Sequence, residues 1–310
     1  MGLSLRDLQK ALYPLLGDVL SVSAINRITE TAQGAMQQKR TAAITQVPPL
    51  LLVDGVWVSI QYASEQTWQD QAGHLRKLRQ VEDRVVLVAL GIWPDGTRQI
   101  LHYEIAGTES QNAWKTFFEH LHERGANLAE IELVVSDGSN GLPNILETCV
   151  PQAQHQRCIT HKVRAMLRHL SYENLPHHDD QGQPLSPSEA KEFRHQHIQA
   201  DAYRIYETAD WMEAIDRLVA FVQIWQPVEP HAVSTFLKDI ALTFSFYNFD
   251  ESLYPLLRTT NALERLFREF RAKTDEIGAF SNEDSCLTLF FLVMQRDHAK
   301  HDRLKSVAKT

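Results

Sequence analysis

Cysteine is scarce in this chain. Only Cys149, Cys158 and Cys286 occur among 310 residues. An odd and sparse set excludes a disulfide framework and fits reduced thiols in a reducing compartment. Long apolar runs are missing too. No stretch approaches the roughly 20 residues that a bilayer-crossing helix needs. The first residues, MGLSLRDLQKALYPLLGD, place charges inside their apolar pattern, which is unlike a secretory signal. A cytoplasmic location and no membrane partner are therefore expected. There is no internal repeat and no low-complexity tract. Net positive charge is also lacking, at −8 overall. Taken as one number, that argues against a nucleic-acid partner.

The distribution of charge reverses that conclusion. Residues 171–257 hold 14 Asp/Glu and 5 Lys/Arg, a balance of −9, which leaves the rest of the chain near +1. Arg258, Arg265, Arg268, Arg271 and Lys273 crowd one stretch against Glu264 and Glu269. A basic site beside an acidic lobe is compatible with DNA binding, and these five are candidate DNA-binding residues. Guanidinium groups suit phosphates especially well. A 44% hydrophobic content is enough for one large domain or two smaller ones.

Residues 3–30 read as two short helices, with Leu5, Leu8, Leu12 and Leu16 at helical spacing and a break at Gly17-Asp18. The second would carry Ile25 and Ile28 inward and Arg27 outward. Either a helix-turn-helix using Arg27 on DNA or a plain helical hairpin fits this outline. Residues 31–48 read as a helix tail and linker. Strands then follow at Leu50–Tyr62, Arg84–Trp93 and Arg98–Ile105, the last two separated by the turn Pro94-Asp95-Gly96-Thr97. A helix over Ser110–Arg124 presents Trp114, Phe117, Phe118 and Leu121 on one face and ends at Gly125. Ile131–Val135 is a buried strand, about Gly141–Thr148 a helix, and His155–Cys158 a short strand. Residues 173–257 read as all-α. Ile215, Leu218, Val222 and Trp225 make one helical stripe, and Phe236, Leu237, Ile240 and Phe244 another. Helices resume at about Asn261–Lys273 and Asn282–His298. The expected fold class is α/β. The order β-β-β-α-β-α-β-α matches a ribonuclease H-like mixed sheet flanked by helices, with an all-α insertion. Four segments follow: 1–48, 49–172, 173–257 and 258–310.

Two carboxylates occupy unusual places. Asp54 interrupts an apolar strand in Leu-Val-Asp-Gly-Val, where an ionised group needs a partner. Asp137 ends a strand in Val-Val-Ser-Asp-Gly, a common place for active-site groups, although Asp-Gly also makes ordinary turns. A metal ion would serve both. Mg²⁺ or Mn²⁺ suits carboxylate oxygens, and two such ions can act together in phosphodiester transfer. Glu264 is a third candidate beside the stripe Leu263, Leu266, Phe267 and Phe270. Locally, pairing with Arg268 or a capping contact with Asn261 explains it equally well. His155-x-x-Cys158-x-x-His161 lacks the second ligand pair of a structural zinc site, so a buried Cys158 and a hydrogen-bonded His161 are preferred. His177-His178-Asp179-Asp180 reads as a solvated loop. Arg76, Lys77 and Arg79 read equally as phosphate contacts or a solvated face. Trp211 and Trp225 read as core.

In combination, these motifs resemble the mutator-type transposases of bacterial insertion sequences. The motifs are Leu-Val-Asp54-Gly-Val-Trp-Val, Val-Ala-Leu-Gly91 with Asp95-Gly, Ser136-Asp137-Gly-Ser-Asn-Gly141-Leu, Gln156-Arg-Cys158-Ile-Thr-His161, Arg258-Thr-Thr-Asn261-Ala-Leu-Glu264-Arg-Leu and Ile277-Gly-Ala-Phe280. The resemblance runs from about residue 3 to residue 296. It implies a DDE transposase whose catalytic and metal-binding residues are Asp54, Asp137 and Glu264. Arg157, Cys158, His161 and Asn261 would support that site. It further implies two Mg²⁺ or Mn²⁺ ions, insertion-sequence terminal inverted repeats and target DNA as partners, and a homodimer or larger assembly on DNA. The chain departs from the family pattern at Ala165, Phe267 and Ser281. Its first Asp also comes early, so recognition of DNA ends is expected to be supplied elsewhere or to be impaired. Two other readings stay open: a domesticated transposase that binds DNA without cutting, and a ribonuclease H-like nuclease without joining activity.

Overall fold

The computed structural model describes residues 22–70, 72–138 and 141–307. The first helix expected for residues 3–17 lies outside them. The described chain is mixed α/β and forms two compact units. Five strands are described, β1 to β3 paired in the first unit and β4 with β5 in the second. Among the described residues, no helix is long and apolar enough to cross a membrane.

The first unit contains α1 (Val22–Thr41), β1 (Leu50–Gln69), β2 (Leu75–Ile92), β3 (Arg98–Ala106), α2 (Gln111–Glu123), α3 (Leu142–Cys149), α9 (Asn261–Ile277, from its second residue) and α10 (Glu283–Val307). β1, β2 and β3 form an antiparallel meander, as the short connections suggest. Its base is continuous hydrophobic strand. Leu50–Val53 and Val85–Ala89 are buried on both faces, between layers that include Trp114, Phe117 and Phe118 of α2 and Phe270 of α9. The Phe270 ring meets that of Phe290 in α10 edge-on, with centroids 5.2 Å apart.

β1 and β2 run well past their expected ends, at Tyr62 and Arg84, as a two-stranded ribbon. Its register shifts between Ala63 and Thr67. Trp68, Leu75, Leu78 and Val81 are exposed there, so no buried face generates the alternation by which strands are recognised. Arg76 pairs with Asp70 at 2.9 Å across the ribbon's tip. α1 is one helix through Thr41, as the helix tail read after residue 30 implies. Ile28, expected inward, is 58% exposed.

α2 forms as read. The Ser110 side chain accepts the Ala113 N–H, and Gly125 leaves the helix in the left-handed region at φ 94°.

The second unit contains β4 (Leu133–Ser136), β5 (Gln154–Arg157), α4 (Ile159–Leu167), α5 (Pro187–Arg204), α6 (Trp211–Trp225), α7 (Pro230–Leu237) and α8 (Tyr254–Leu257). β4 and β5 pair in parallel, Val134 with His155. The helices bury Val163, Ile198, Phe221, Phe236 and Phe246. α5 starts at a capping box made by Ser186 and Glu189. The helix expected through Phe244 instead stops at Leu237. Asp239 takes φ 55°, and single 3-10 turns carry the chain onward. Arg194 and Glu229 form a buried ion pair at 2.8 Å. Glu229 also accepts the Ser171 N–H and hydroxyl, and Arg194 donates to the Glu173 and Asn174 carbonyls. Those bonds compensate the removal of both charges from water.

Candidate active site

Asp54 lies on β1 opposite Val88 of β2, between the fully buried Val53 and Gly55, and is 8% exposed. One of its oxygens accepts the Gly55 N–H at 2.8 Å. The sequence reading set Asp137 and Glu264 with it as metal ligands; the first unit adds a carboxylate that the sequence did not single out. A carboxylate oxygen of Glu109 lies within 4.8 Å of one on Asp54. Glu109 sits in the short connection between β3 and α2. Gly55 makes the approach possible, because a Cβ there would stand 2.7 Å from Val85 Cγ2 and 3.4 Å from Glu109 Cδ. Glu264 is in the same unit on the first turn of α9, half-buried beside Leu263, Leu266, Phe267 and Phe270. Asn261 is the first residue of α9.

In the second unit, Asp137 follows the last residue of β4 and precedes Gly138, whose φ is 77°. A Cβ at Gly138 would meet Arg157 Nε at 2.6 Å, so the Arg157 guanidinium packs directly against this turn. Arg157 Nη1 reaches Asp239 at 3.4 Å. The Ser136 hydroxyl and His155 Nε2 are 2.8 Å apart. Burial, with help from the Arg157 charge, pushes His155 down to about 4. Cys158 precedes α4, and its buried Sγ accepts from the Thr260 N–H at 3.4 Å and the Thr260 hydroxyl at 3.6 Å. Burial opposes ionisation of this thiol. Hydrogen bonds from His161 and Thr260 outweigh it and hold the thiol below its ordinary value. This matches the expected buried Cys158 and hydrogen-bonded His161. His177 and His178 are exposed, and Asp179 accepts the Gln181 and Gln183 N–H groups, as in an ordinary polar turn. Trp225 is buried, with its Nε1 donating to Asp201 at 2.9 Å, but Trp211, also read as core, is 48% exposed.

The basic residues divide into two kinds. Arg265, Arg268, Arg271 and Lys273 line the exposed side of α9. Arg98, which the sequence did not single out, joins them. Burial and the nearby Arg265 charge hold its guanidinium below the usual arginine value. Arg258, by contrast, is packed in the second unit. It stacks 4.9 Å from the Phe246 ring centre and 5.4 Å from that of Tyr254, and donates to the Thr208 carbonyl. Arg27 is exposed on α1.

A second metal-like group in the first unit comprises His102, Glu104 and His120, whose ligand atoms also lie within 4.8 Å. His102 and Glu104 share one face of β3 at i and i+2, and His120 of α2 covers them. Arg124 Nη1 lies 3.0 Å from His102 Nδ1. Arginine only donates, so Nδ1 must accept and the ring proton sits on Nε2, facing Glu104 at 3.2 Å. His120 Nδ1 closes the network on the same carboxylate oxygen at 2.6 Å. A metal at His102 Nε2 would need that proton removed while Nδ1 still faced a guanidinium. The network is complete without an ion.

A family model described as "Transposase, Mutator family" matches residues 1–181 and 187–303. The chain belongs to the mutator family of transposases. It is 31% identical over 288 residues to the transposase for insertion sequence element ISRM5 of Rhizobium meliloti (strain 1021), covering 93% of this chain and 63% of that protein. It is 26% identical over 298 residues to the transposase for insertion sequence element IS256 in transposon Tn4001 of Staphylococcus aureus, covering 96% and 67%. This mutator-family chain thus spans about two thirds of the length of these relatives. A solved structure, the Drosophila P element transposase strand transfer complex, is similar at a TM-score of 0.45 and 9% identity, over 94% of this chain and 92% of that one. That likeness is too loose to argue from.

Proposed function

We propose that the chain cuts DNA strands at insertion-sequence ends and joins them to target DNA, with divalent cations held by Asp54, Asp137 and Glu264. The observation that carries this reading is the buried Asp54 in a mutator-family chain, brought against a second carboxylate just after the meander. The antiparallel β1-β2-β3 meander and the parallel β4-β5 pair, both expected of a ribonuclease H-like fold, support it, and residues 173–257 are then its all-α insertion.

The donor set fits Mg²⁺ or Mn²⁺. Carboxylate oxygens are the hard ligands that such a cation takes. Cations bound there would polarise the phosphodiester and activate the attacking oxygen. The chain's own residues do the rest. The apolar neighbours of Asp54 exclude bulk water and strengthen every charge interaction in the site. Arg265, Arg268, Arg271 and Lys273 bind DNA phosphates along α9. Arg157, packed on the Gly138 turn, holds Asp137 in position, and Cys158 and His161 fix the start of α4. The carboxylates act as ligands, so no covalent protein–DNA intermediate is needed. Two DNA ends must be paired, which calls for at least a dimer on DNA.

The test uses labelled DNA carrying the element's terminal inverted repeats and a target plasmid. Wild type is expected to nick the end and transfer it in Mg²⁺, and to do neither in EDTA. Asp137→Asn should lower cleavage by about a thousandfold or more, on the order of 4 kcal/mol in the barrier. Nicking without transfer would favour the nuclease reading. Specific binding without nicking would favour a DNA-binding protein that does not cut.

A further inference from the structure

We propose that Glu109 is a ligand of the cation held at Asp54, an inference that rests on the metal-dependent reading above. The family motifs name three carboxylates, and Glu109 is none of them. The fold nonetheless places its carboxylate oxygen within 4.8 Å of one on Asp54.

The approach is specified by the chain on both sides. On β1, residue 55 is glycine. Any side chain there would strike Val85 at 2.7 Å and crowd the Glu109 carboxyl carbon at 3.4 Å. On the other side, Glu109 immediately precedes Ser110, which caps α2 through the Ala113 N–H. α2 is then fixed by Trp114, Phe117, Phe118 and Leu121, all buried. Its position is therefore set by a packed helix and a close backbone passage rather than by a free loop.

The chemistry favours a cation over a purely structural role. Asp54 is nearly buried, and its carboxylate oxygen and that of Glu109 stand close enough to serve one ion as hard oxygen donors. A divalent ion that takes six or more oxygens turns the same proximity into ligation. The competing role for Glu109 is an acidic group favourably placed at the N-terminus of α2. The two roles predict opposite responses to removal of its charge.

The experiment compares full-length wild type, Glu109→Gln, Glu109→Asp and Asp54→Asn. Free Mn²⁺ is measured by electron paramagnetic resonance, and thermal unfolding is followed with and without Mn²⁺. Glu109→Gln is expected to weaken Mn²⁺ binding at least fivefold. It should leave the ion-free melting temperature unchanged or raised, and shrink the rise that Mn²⁺ produces. Glu109→Asp should fall between. Mn²⁺ binding by Glu109→Gln equal to wild type, while Asp54→Asn loses it, would overturn this assignment and leave the Asp54 centre standing. Equal loss of melting temperature with and without Mn²⁺, at unchanged affinity, would make Glu109 a helix-terminus residue and also overturn it. If wild type shows no Mn²⁺ binding that Asp54→Asn removes, the metal reading itself fails, and this inference with it.

Discussion

The carboxylate pair at Asp54 and the His102–Glu104–His120 group lie in the same unit and both have ligand atoms at metal-binding distances. Their hydrogen bonding separates them. The histidine group is closed by donors: Arg124 to His102, His102 to Glu104, and His120 to Glu104. Asp54 and Glu109 bring two carboxylate oxygens within 4.8 Å of each other, a donor set of oxygen alone. The lesson is that proximity of ligand types does not identify a metal site until each proton has been assigned. One group is a polar network that fastens α1, β3 and α2, and the other has the composition of a cation centre.

The comparison can be broken first at Arg124. Its guanidinium donates to the carbonyls of Lys39, Ala42 and Leu101 as well as to His102. Arg124→Ala leaves several acceptors without their donor. It should destabilise the chain by about 3 kcal/mol, measured by urea unfolding. An unchanged midpoint would show that the network is not structural.

A smaller effect concerns acid. Burial holds His102 below its ordinary 6.5. The unfolded chain therefore takes up a proton that the folded chain resists as pH falls below 6.5. Stability from this group is fully present above 6.5 and is lost downward from there until the lower, folded value is reached. Glu104 is also held below its usual value, by hydrogen bonds from both histidines that outweigh burial, and it weakens the fold at still lower pH. Unfolding midpoints at pH 8, 6.5 and 5.5 should decline in that order, and His102→Gln should flatten the first part of the decline. A midpoint rising toward pH 5.5 would contradict the assigned protonation.

The smallest expected effect is a null one. Substituting His102 and His120 together with Gln should leave the thermal response to Zn²⁺ unchanged. A Zn²⁺-induced stabilisation that this double variant abolishes would mean that the histidine group is a metal site after all.

Much of the fold was legible because buried faces leave periodic traces. The meander's base, α2 with its Ser110 cap and Gly125 exit, and the stripe on α9 all announce themselves this way. The outer ribbon did not, because exposed Trp68, Leu75, Leu78 and Val81 follow no buried face. The end of α7 at Leu237 was missed because apolar residues continue past the left-handed Asp239. Asp54 stood out as a charge inside an apolar strand. Glu109 looks like any acidic residue ahead of a helix, and the passage of β1 at Gly55 is what brings it to Asp54. Its one sequence signal was a glycine in a strand, a mark of close approach.

The most direct test of the central claim is end cleavage by Asp54→Cys in Mg²⁺ and in Mn²⁺, because a thiolate ligates Mn²⁺ more readily than Mg²⁺. If Asp54 ligates a catalytic cation, the variant will be inactive in Mg²⁺ and regain cleavage in Mn²⁺. Cleavage in Mg²⁺ at the wild-type rate would contradict the account.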